Sequence, residues 1–259
     1  MPTIEEKGRL LRGLHAAPPL LQVVNVWDAA SARVVADVPG TRALATASHA
    51  IAATFGYPDG EVIPLDLMLA MVGRIVDATT LPVSADLEVG YGDAGETIRR
   101  AVGIGVVGAN LEDRMRPFDE AVAAVRAAVA AAEGEGVPFA LNARTDAVLR
   151  APEGGGADAV REAVRRGRAF LAEGATCVFV PGRLDEGMVV ELVDGLGERT
   201  LSVIAVPGSL PPSRLQELGV ARVSVGPWSQ RVALHALQRL ADDLLHADGG
   251  VPSDTPVLT

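Results

Sequence analysis

The chain has 259 residues, of which 49% are hydrophobic and 22% charged, which is enough apolar material for a sizeable core and excludes a disordered protein. The formal net charge of −10 argues against nucleic acid or an anionic membrane surface as a partner, and no apolar run approaches the roughly 18–20 residues of a membrane span. The single cysteine, Cys177, and the absence of an apolar leader predict a cytoplasmic protein.

Eight short apolar or β-branched runs predict strands, near residues 21–26, 42–46, 81–86, 106–112, 138–144, 176–181, 201–206 and 221–226. Stretches with helical period lie between them, and one more precedes the first strand. Helices between strands require parallel crossovers, so this order predicts an α/β fold, a single (β/α)8 TIM-type barrel domain over residues 1–259 with an N-terminal helix. The alternative, an open doubly wound sheet, would carry Gly-x-Gly-x-x-Gly after its first strand, and this sequence does not.

Acidic residues stand at the ends of two neighbouring predicted strands. The third strand ends in Asp86-Leu87-Glu88, and the fourth ends in Glu112-Asp113. In such barrels catalytic groups lie at the carboxyl ends of strands, and a period of two places Asp86 and Glu88 on one side. Several carboxylates at one site repel each other without a cation, and oxygen ligands suit Mg²⁺, with Mn²⁺ as an alternative. Alternatively, these carboxylates cap helices or pair with surface arginines.

Further polar and aromatic candidates follow the other strands. Arg144, which ends the fifth strand with Asn142, offers a fixed positive charge to a substrate carboxylate. His49 follows the second strand and is a candidate acid/base, unless it is a packed or capping histidine. Trp27 follows the first strand and is a candidate wall of the substrate pocket.

Six segments carry a resemblance to a known family. They are, in chain order, NVWDAASARV, the S-x-A-x-A-A-x-x-G-Y-P-D-G segment that begins at Ser48, ADLEVGYG, GANLEDR, LNARTDA and EGATCVFVPG. In their order and spacing they resemble the isocitrate lyase / phosphoenolpyruvate mutase superfamily. That family folds as a (β/α)8 barrel, often with the last helix exchanged between subunits. The resemblance therefore implies a homo-dimer or homo-tetramer with an exchanged C-terminal helix.

The resemblance also implies a role for each matching residue. Asp86 resembles the carboxylate that binds Mg²⁺ directly, while Glu88 and Glu112 resemble those that hold metal-bound waters. Arg144 resembles the arginine that contacts the substrate carboxylate or enolate. Asp59 resembles a further carboxylate that lies near the metal. The segment whose backbone amides receive substrate oxygens corresponds to Ala47, Ser48 and His49.

The segment after Glu112 separates the branches of the family. It reads EDRMRPFDEAVAAV, without the K-[KR]-C-G-H acid/base loop of the isocitrate and 2-methylisocitrate lyases and without the longer lid of the phosphonopyruvate enzymes. The pattern resembles the branch that includes oxaloacetate decarboxylase. It implies an Mg²⁺-dependent carbon–carbon lyase or decarboxylase whose partner is a small anionic 2-oxo or 2-hydroxy di- or tricarboxylate, converted through an enolate. Two alternatives stay open: a phosphonopyruvate-type hydrolase or phosphoenolpyruvate mutase, and a non-catalytic carboxylate-binding barrel.

Overall fold

The computed structural model describes residues 2–152, 156–247 and 249–256. Within them lie ten helices: α1 (Ile4–Ala16), α2 (Ala29–Ala36), α3 (Ser48–Thr54), α4 (Leu65–Asp77), α5 (Ala94–Gly103), α6 (Phe118–Gly134), α7 (Gly156–Ala172), α8 (Glu186–Leu196), α9 (Pro212–Glu217) and α10 (Trp228–His246). The strands found there are β1 (Leu21–Val23), β2 (Asn25–Val26), β3 (Leu44–Thr46), β4 (Val83–Asp86), β5 (Gly108–Glu112), β6 (Ala140–Arg144), β7 (Cys177–Phe179), β8 (Leu201–Ile204) and β9 (Arg222–Ser224). Over the same residues, no helix is both long and apolar enough to cross a membrane.

The strands form one parallel sheet that curls into a nearly closed barrel. Its order is β1-β9-β8-β7-β6-β5-β4-β3-β2, so β1 and β2 stand at its two edges. These two strands are consecutive in the chain and flank Val24. β1 pairs with β9 while β2 pairs with β3. The predicted first strand is therefore a single run interrupted at Val24, and the predicted (β/α)8 barrel is confirmed.

The helices pack on the outer face of the sheet through apolar stripes. In α5, Asp93 caps the first turn by accepting a hydrogen bond from the Glu96 N–H at 3.0 Å. Ile98, Ala101 and Val102 then share one helical face and are buried against the barrel. Burial of a side chain the size of Ile98 stabilises the fold by about 1.5–3 kcal/mol.

Helix α1 closes the end of the barrel where the strands begin. A Cβ atom on Gly8 would lie 2.5 Å from the Pro138 carbonyl oxygen, and one on Gly108 would lie 2.7 Å from the Leu11 side chain. Only glycine at these two positions permits so close an approach of α1 to β5 and β6. Access to the barrel is thereby left to the opposite end, where the strands finish.

Polar side chains fill the inside of the barrel below that open end. Asn142 donates to Asn110 Oδ1 at 2.8 Å and accepts from the Cys177 thiol at 3.0 Å. Arg222, which is 1% exposed, donates to Ser84 Oγ at 3.2 Å. The asparagine side chains are paired in this way, whereas Arg222 Nε and Nη2 have no partner among the described residues. The interior is a packed polar core and not a channel.

Candidate active site at the carboxyl end of the barrel

Asp86 ends β4 and is fixed by the neighbouring strand and the helix that follows it. The backbone N–H and the hydroxyl of Ser48 donate to Asp86 Oδ2 at 3.1 and 2.8 Å, and the Asp86 N–H donates to Thr46 Oγ1 at 2.9 Å. Ser48 opens α3, a helix that the strand and helix patterns did not predict. The structure thus brings the predicted substrate-binding Ser48 onto the carboxylate of the predicted metal ligand.

Glu88 and Glu112 are joined by an arginine that the sequence reasoning did not select. Arg114 donates from Nη2 to Glu88 Oε2 at 2.8 Å and from Nε to Glu112 Oε1 at 2.6 Å. The second oxygen of Glu112 lies 2.7 Å from Arg144 Nη1. Both oxygens of Glu112 are therefore held by guanidinium groups, which are strong, charge-assisted partners.

Asp146 directs two arginines towards the same space. It is 1% exposed, and its oxygens lie 2.8 Å from Arg144 Nε and 3.2 Å from Arg150 Nε. Neither Asp146 nor Arg150 was selected from the sequence. The spacing of two between Arg144 and Asp146 was the signal available for Asp146, because it places both on one side of an extended chain.

Asp113 points away from the open end. It is 3% exposed, one oxygen accepts from the N–H groups of Met115 and Asp146 at 2.9 and 3.0 Å, and the other accepts from Arg166 Nη1 at 3.1 Å. It anchors the connection between β5 and α6 and orders its neighbours.

Several of these side chains line a cavity of about 300 Å³, a volume suited to a small carboxylate. Its described lining consists of Ser48, Asp59, Gly60, Glu88, Glu112, Arg114, Arg144, Asp146, Leu149 and Arg150. At its rim, His49 Nδ1 lies 3.5 Å from Asp59 Oδ2, and the two side chains are 42% and 55% exposed. Asp59, Glu88 and Glu112 belong to this lining, whereas Asp86 does not but is close enough for its charge to act on Glu88. We call these four carboxylates the acidic mouth.

Three predicted substrate-binding residues do not belong to this described lining. Trp27 packs, partly buried, against the hydrophobic core. Ala47 is 3% exposed and precedes the first turn of α3, and Asn142 is 1% exposed inside the barrel. Their side chains support the elements that carry the site.

The acidic mouth holds more negative charge than its arginines neutralise. Burial, with Asp86 and Asp59 close by, raises the pKa of Glu88 to about 8. Its Oε1 atom is buried and has no hydrogen-bond partner among the described residues. Burial also raises the pKa of Glu112, although Arg144 opposes the shift. A cation placed beside Glu88 would remove this energetic cost.

Comparison with known proteins identifies the family. The phosphoenolpyruvate phosphomutase family model matches residues 11–245. The chain belongs to this family. An oxaloacetate decarboxylase of Ectopseudomonas mendocina (strain ymp) is 30% identical over 250 residues, covering 94% of this chain and 85% of the relative. A 2-methylisocitrate lyase of Escherichia coli (strain K12) is 27% identical over 258 residues, covering 93% and 83%.

Solved structures agree with this assignment. A Burkholderia cenocepacia J2315 protein, provisionally assigned as a phosphonomutase, has a TM-score of 0.87 and 39% identity, covering 93% of this chain and 99% of that one. The predictions of the superfamily, of its barrel and of an enzyme related to its lyases are confirmed by these relatives.

The acidic mouth suits a hydrated metal ion of the kind that this family uses. Among the described residues, no three Asp, Glu, His or Cys side chains converge to hold a metal ion directly. Mg²⁺ commonly keeps several waters and takes only one or two protein carboxylates directly, so the outer carboxylates need not converge. The unpartnered Oε1 of Glu88 is the acceptor that such a water, or the ion itself, would satisfy. The oxygen donors of the acidic mouth therefore fit a hydrated Mg²⁺ ion.

Proposed function

We propose that this protein is a divalent-metal-dependent lyase or decarboxylase that acts on a small 2-oxo or 2-hydroxy di- or tricarboxylate. The observation that carries the proposal is that two groups line the same cavity. One is the fixed guanidinium of Arg144, and the other is Glu88, whose Oε1 atom has no hydrogen-bond partner among the described residues. The first recognises an anionic substrate, and the second indicates a place for a cation. The curated relatives named oxaloacetate decarboxylase and 2-methylisocitrate lyase support this class of substrate.

Mg²⁺, with Mn²⁺ as an alternative, is the cofactor in this proposal. Asp86 would bind the ion, and Glu88, Glu112 and Asp59 would hold its waters. When bound, the ion supplies a Lewis acid that polarises the 2-oxo group of the substrate. Ser48 keeps the Asp86 carboxylate in place through two hydrogen bonds, so this ligand is oriented before the ion arrives.

Arg144 and His49 carry the remaining roles. Arg144 is held by Glu112 and Asp146, so its charge is positioned before the substrate binds and stabilises the negative charge that develops when the bond at C3 breaks. His49, close to Asp59 at the cavity rim, is the proposed donor of the proton that C3 receives.

The connection between β5 and α6 favours a decarboxylase over a phosphoryl mutase. β5 ends at Glu112 and α6 begins at Phe118, so residues 113–117 make the whole connection. Arg114 of this segment lines the cavity, but five residues are too few to form a lid that closes over it and excludes water. A phosphoryl intermediate would be lost to water in such a site, whereas protonation of an enolate tolerates water.

A turnover screen tests the proposal. We expect pyruvate or glyoxylate from at least one 2-oxo or 2-hydroxy polycarboxylate, such as oxaloacetate, only when Mg²⁺ or Mn²⁺ is present. Asp86→Ala should lower kcat/KM by about 10³-fold or more, because the direct ligand is lost. The exposed Asp66→Ala is the matched control, since its carboxylate pairs only with Arg100 among the described residues. Full metal-dependent turnover by Asp86→Ala would refute the site.

The screen also separates the two alternatives. Release of phosphate, or formation of a phosphorus–carbon bond, from phosphorylated three-carbon acids would favour the hydrolase or mutase. Binding of oxalate and Mg²⁺ without turnover of any 2-oxo acid would favour the non-catalytic barrel.

We also propose that the protein is a homo-dimer or homo-tetramer assembled through α10. After its first turn this helix is largely exposed, and one of its faces presents apolar side chains that are 54–74% exposed: Leu234, Leu237, Leu244 and Leu245. A contiguous apolar surface of this kind is typical of an interface, and a second copy that exchanges α10 would cover it. Light scattering should show a defined oligomer that Leu244→Lys with Leu245→Lys converts to monomer; an unchanged mass would contradict the assignment to α10.

A further inference from the structure

Arg114 stands on a short connection that turns it back over the acidic mouth. Arg114 and Met115 both adopt left-handed backbone conformations, with φ of 45° and 58°. Such conformations are unfavourable for residues other than glycine and persist where the surroundings enforce them. Here the buried Asp113 enforces them, because it accepts from the Met115 N–H and is itself held by Arg166.

The guanidinium of Arg114 occupies the space between two carboxylates of the mouth. It lies 2.8 Å from Glu88 and 2.6 Å from Glu112, whose side chains are only 4% and 8% exposed. These are two of the carboxylates to which the proposed function assigns metal-bound waters. One fixed positive charge therefore already sits on the groups that would surround a divalent cation.

The two other arginines of the cavity are bound differently. Arg144 shares Glu112 but is also tied to the buried Asp146, and Arg150 is tied to Asp146. Among the described side chains, Arg114 is paired with Glu88 and Glu112 and with no third carboxylate. Of the three arginines, Arg114 is the one whose two carboxylate partners are both proposed to hold metal-bound waters.

We propose that Arg114 is a tethered cation that competes with the divalent metal ion for Glu88 and Glu112. This inference rests on the proposed function, from which it takes the metal site. Two cations a few ångströms apart repel each other, and the repulsion is strong where solvent is partly excluded. Bound metal therefore requires Arg114 to leave at least one of its carboxylates. The chain binds metal more weakly than the same mouth would without this arginine.

Metal binding without substrate tests the competition directly. The free Mn²⁺ concentration, read by electron paramagnetic resonance, and titration calorimetry give the Kd of Mn²⁺ for the whole protein at fixed pH and salt. Arg114→Gln should lower this Kd by about tenfold or more, and Arg114→Lys, which keeps the charge, should lower it by less than threefold. Arg165→Gln removes a positive charge on the outside of α7, where Arg165 pairs with Glu162, so it should change the Kd by less than threefold.

A fold check accompanies these titrations, because Arg114→Gln leaves two buried carboxylates unpaired. We expect its Tm to fall in the absence of metal and to recover when Mn²⁺ is added. Arg114→Met, which keeps more apolar volume, is the second neutral variant if the Gln variant does not fold, and the same tenfold gain is expected.

The outcomes distinguish this inference from the proposed function. If the wild type binds Mn²⁺ and neither neutral variant binds it more tightly, Arg114 does not compete and the inference alone is overturned. If only the neutral variants bind Mn²⁺, the competition is supported in its strongest form and the metal dependence of the wild type fails. If no protein binds Mn²⁺, both the inference and the metal part of the proposed function are overturned.

Discussion

The two ends of the barrel carry incompletely neutralised charge of opposite sign. At the open end, the acidic mouth raises the pKa of Glu88 to about 8. At the closed end, His15, a buried residue of α1, lies near Arg222 and Arg199, and burial together with these two arginines lowers its pKa to about 3. The mouth therefore resists losing a proton, whereas the closed end, which we call the floor (His15, Arg199 and Arg222), resists gaining one.

This difference separates a site from a support. The negative charge faces a cavity of about 300 Å³, where a ligand can reach it. The positive charge is sealed: Arg222 is 1% exposed, and its Nε and Nη2 atoms have no partner among the described residues. The Asp86 carboxylate is close enough to raise the pKa of Arg222, against the stronger lowering by burial. The floor thus helps to hold a negative mouth together without meeting the ligand.

Arg144 gives the largest expected effect, and it tests whether the mouth is the site. Arg144→Gln should lower kcat/KM for the substrate found in the screen by about 10³-fold, or roughly 4 kcal/mol, because a preorganised positive charge is lost where negative charge develops. Steady-state kinetics at saturating Mg²⁺ would measure the loss.

The exposed Arg165→Gln is the control for Arg144, since its guanidinium pairs with Glu162 on the outside of α7. It should leave kcat/KM unchanged. A loss of less than tenfold in Arg144→Gln would mean that the chemistry lies outside the mouth.

The barrel was predictable from the sequence because its signals are local and repeated. The eight apolar runs, each followed by a helical pattern, correspond to the described strands, and only the break at Val24 and the helix α3 were missed. The interruption at Val24 arises because β1 pairs with β9 and β2 pairs with β3. It therefore depends on closure of the sheet and not on the local sequence. Residues 48–54 carry no polar face, and their helix depends on packing.

The acidic residues of the site were predictable, but their arginine partners were not. Asp86, Glu88 and Glu112 end predicted strands, which is where barrel enzymes carry their catalytic groups. Arg114 reaches them through a left-handed backbone that no residue preference indicates. Arg150 lies six residues after the end of β6, and its ion pair with Asp146 brings it to the cavity. Their roles depend on tertiary contacts, which one sequence does not encode locally.

Glu88 gives the next largest effect, on the pH dependence of stability. Its pKa is about 8 in the folded protein and near 4.5 in the unfolded chain, so between these values the folded state binds more protons. The free energy of unfolding should therefore fall as pH rises from 5 to 8. We expect this carboxyl to account for about 3 kcal/mol in the metal-free protein, allowing for solvent at the mouth.

Glu88→Gln should remove that part of the pH dependence in denaturant titrations. Glu186→Gln is the control, because Glu186 is an exposed carboxyl whose pKa is lowered by its hydrogen bond to Arg214. Saturating Mg²⁺ should also flatten the wild-type profile, since a cation favours the ionised carboxylate. If the free energy of unfolding of the wild type changed with pH between 5 and 8 in the same way as that of Glu88→Gln, the pKa of Glu88 would not be raised. The mouth would then not be short of positive charge.

His15 at the floor should respond to pH in the opposite sense, with the smallest of the three effects. It is 1% exposed, and its Nδ1 donates to the Leu11 carbonyl at 2.8 Å. Its pKa is about 3 when folded and near 6.5 when unfolded, so the unfolded chain binds the additional proton as pH falls below 6.5. Stability should fall by about 2 kcal/mol from this residue alone between pH 6.5 and 5.

The matched pair for this test is His15→Leu and the exposed His235→Gln. His15→Leu loses a hydrogen bond at every pH, so its stability at pH 7 is not the diagnostic quantity. The difference between pH 7 and pH 5 is diagnostic, and it should shrink by about 2 kcal/mol in His15→Leu and remain unchanged in His235→Gln. If both variants kept the wild-type difference in stability between pH 7 and pH 5, His15 would be able to accept a proton in the folded protein. The two ends of the barrel would then differ only in the excess of carboxylates at the mouth.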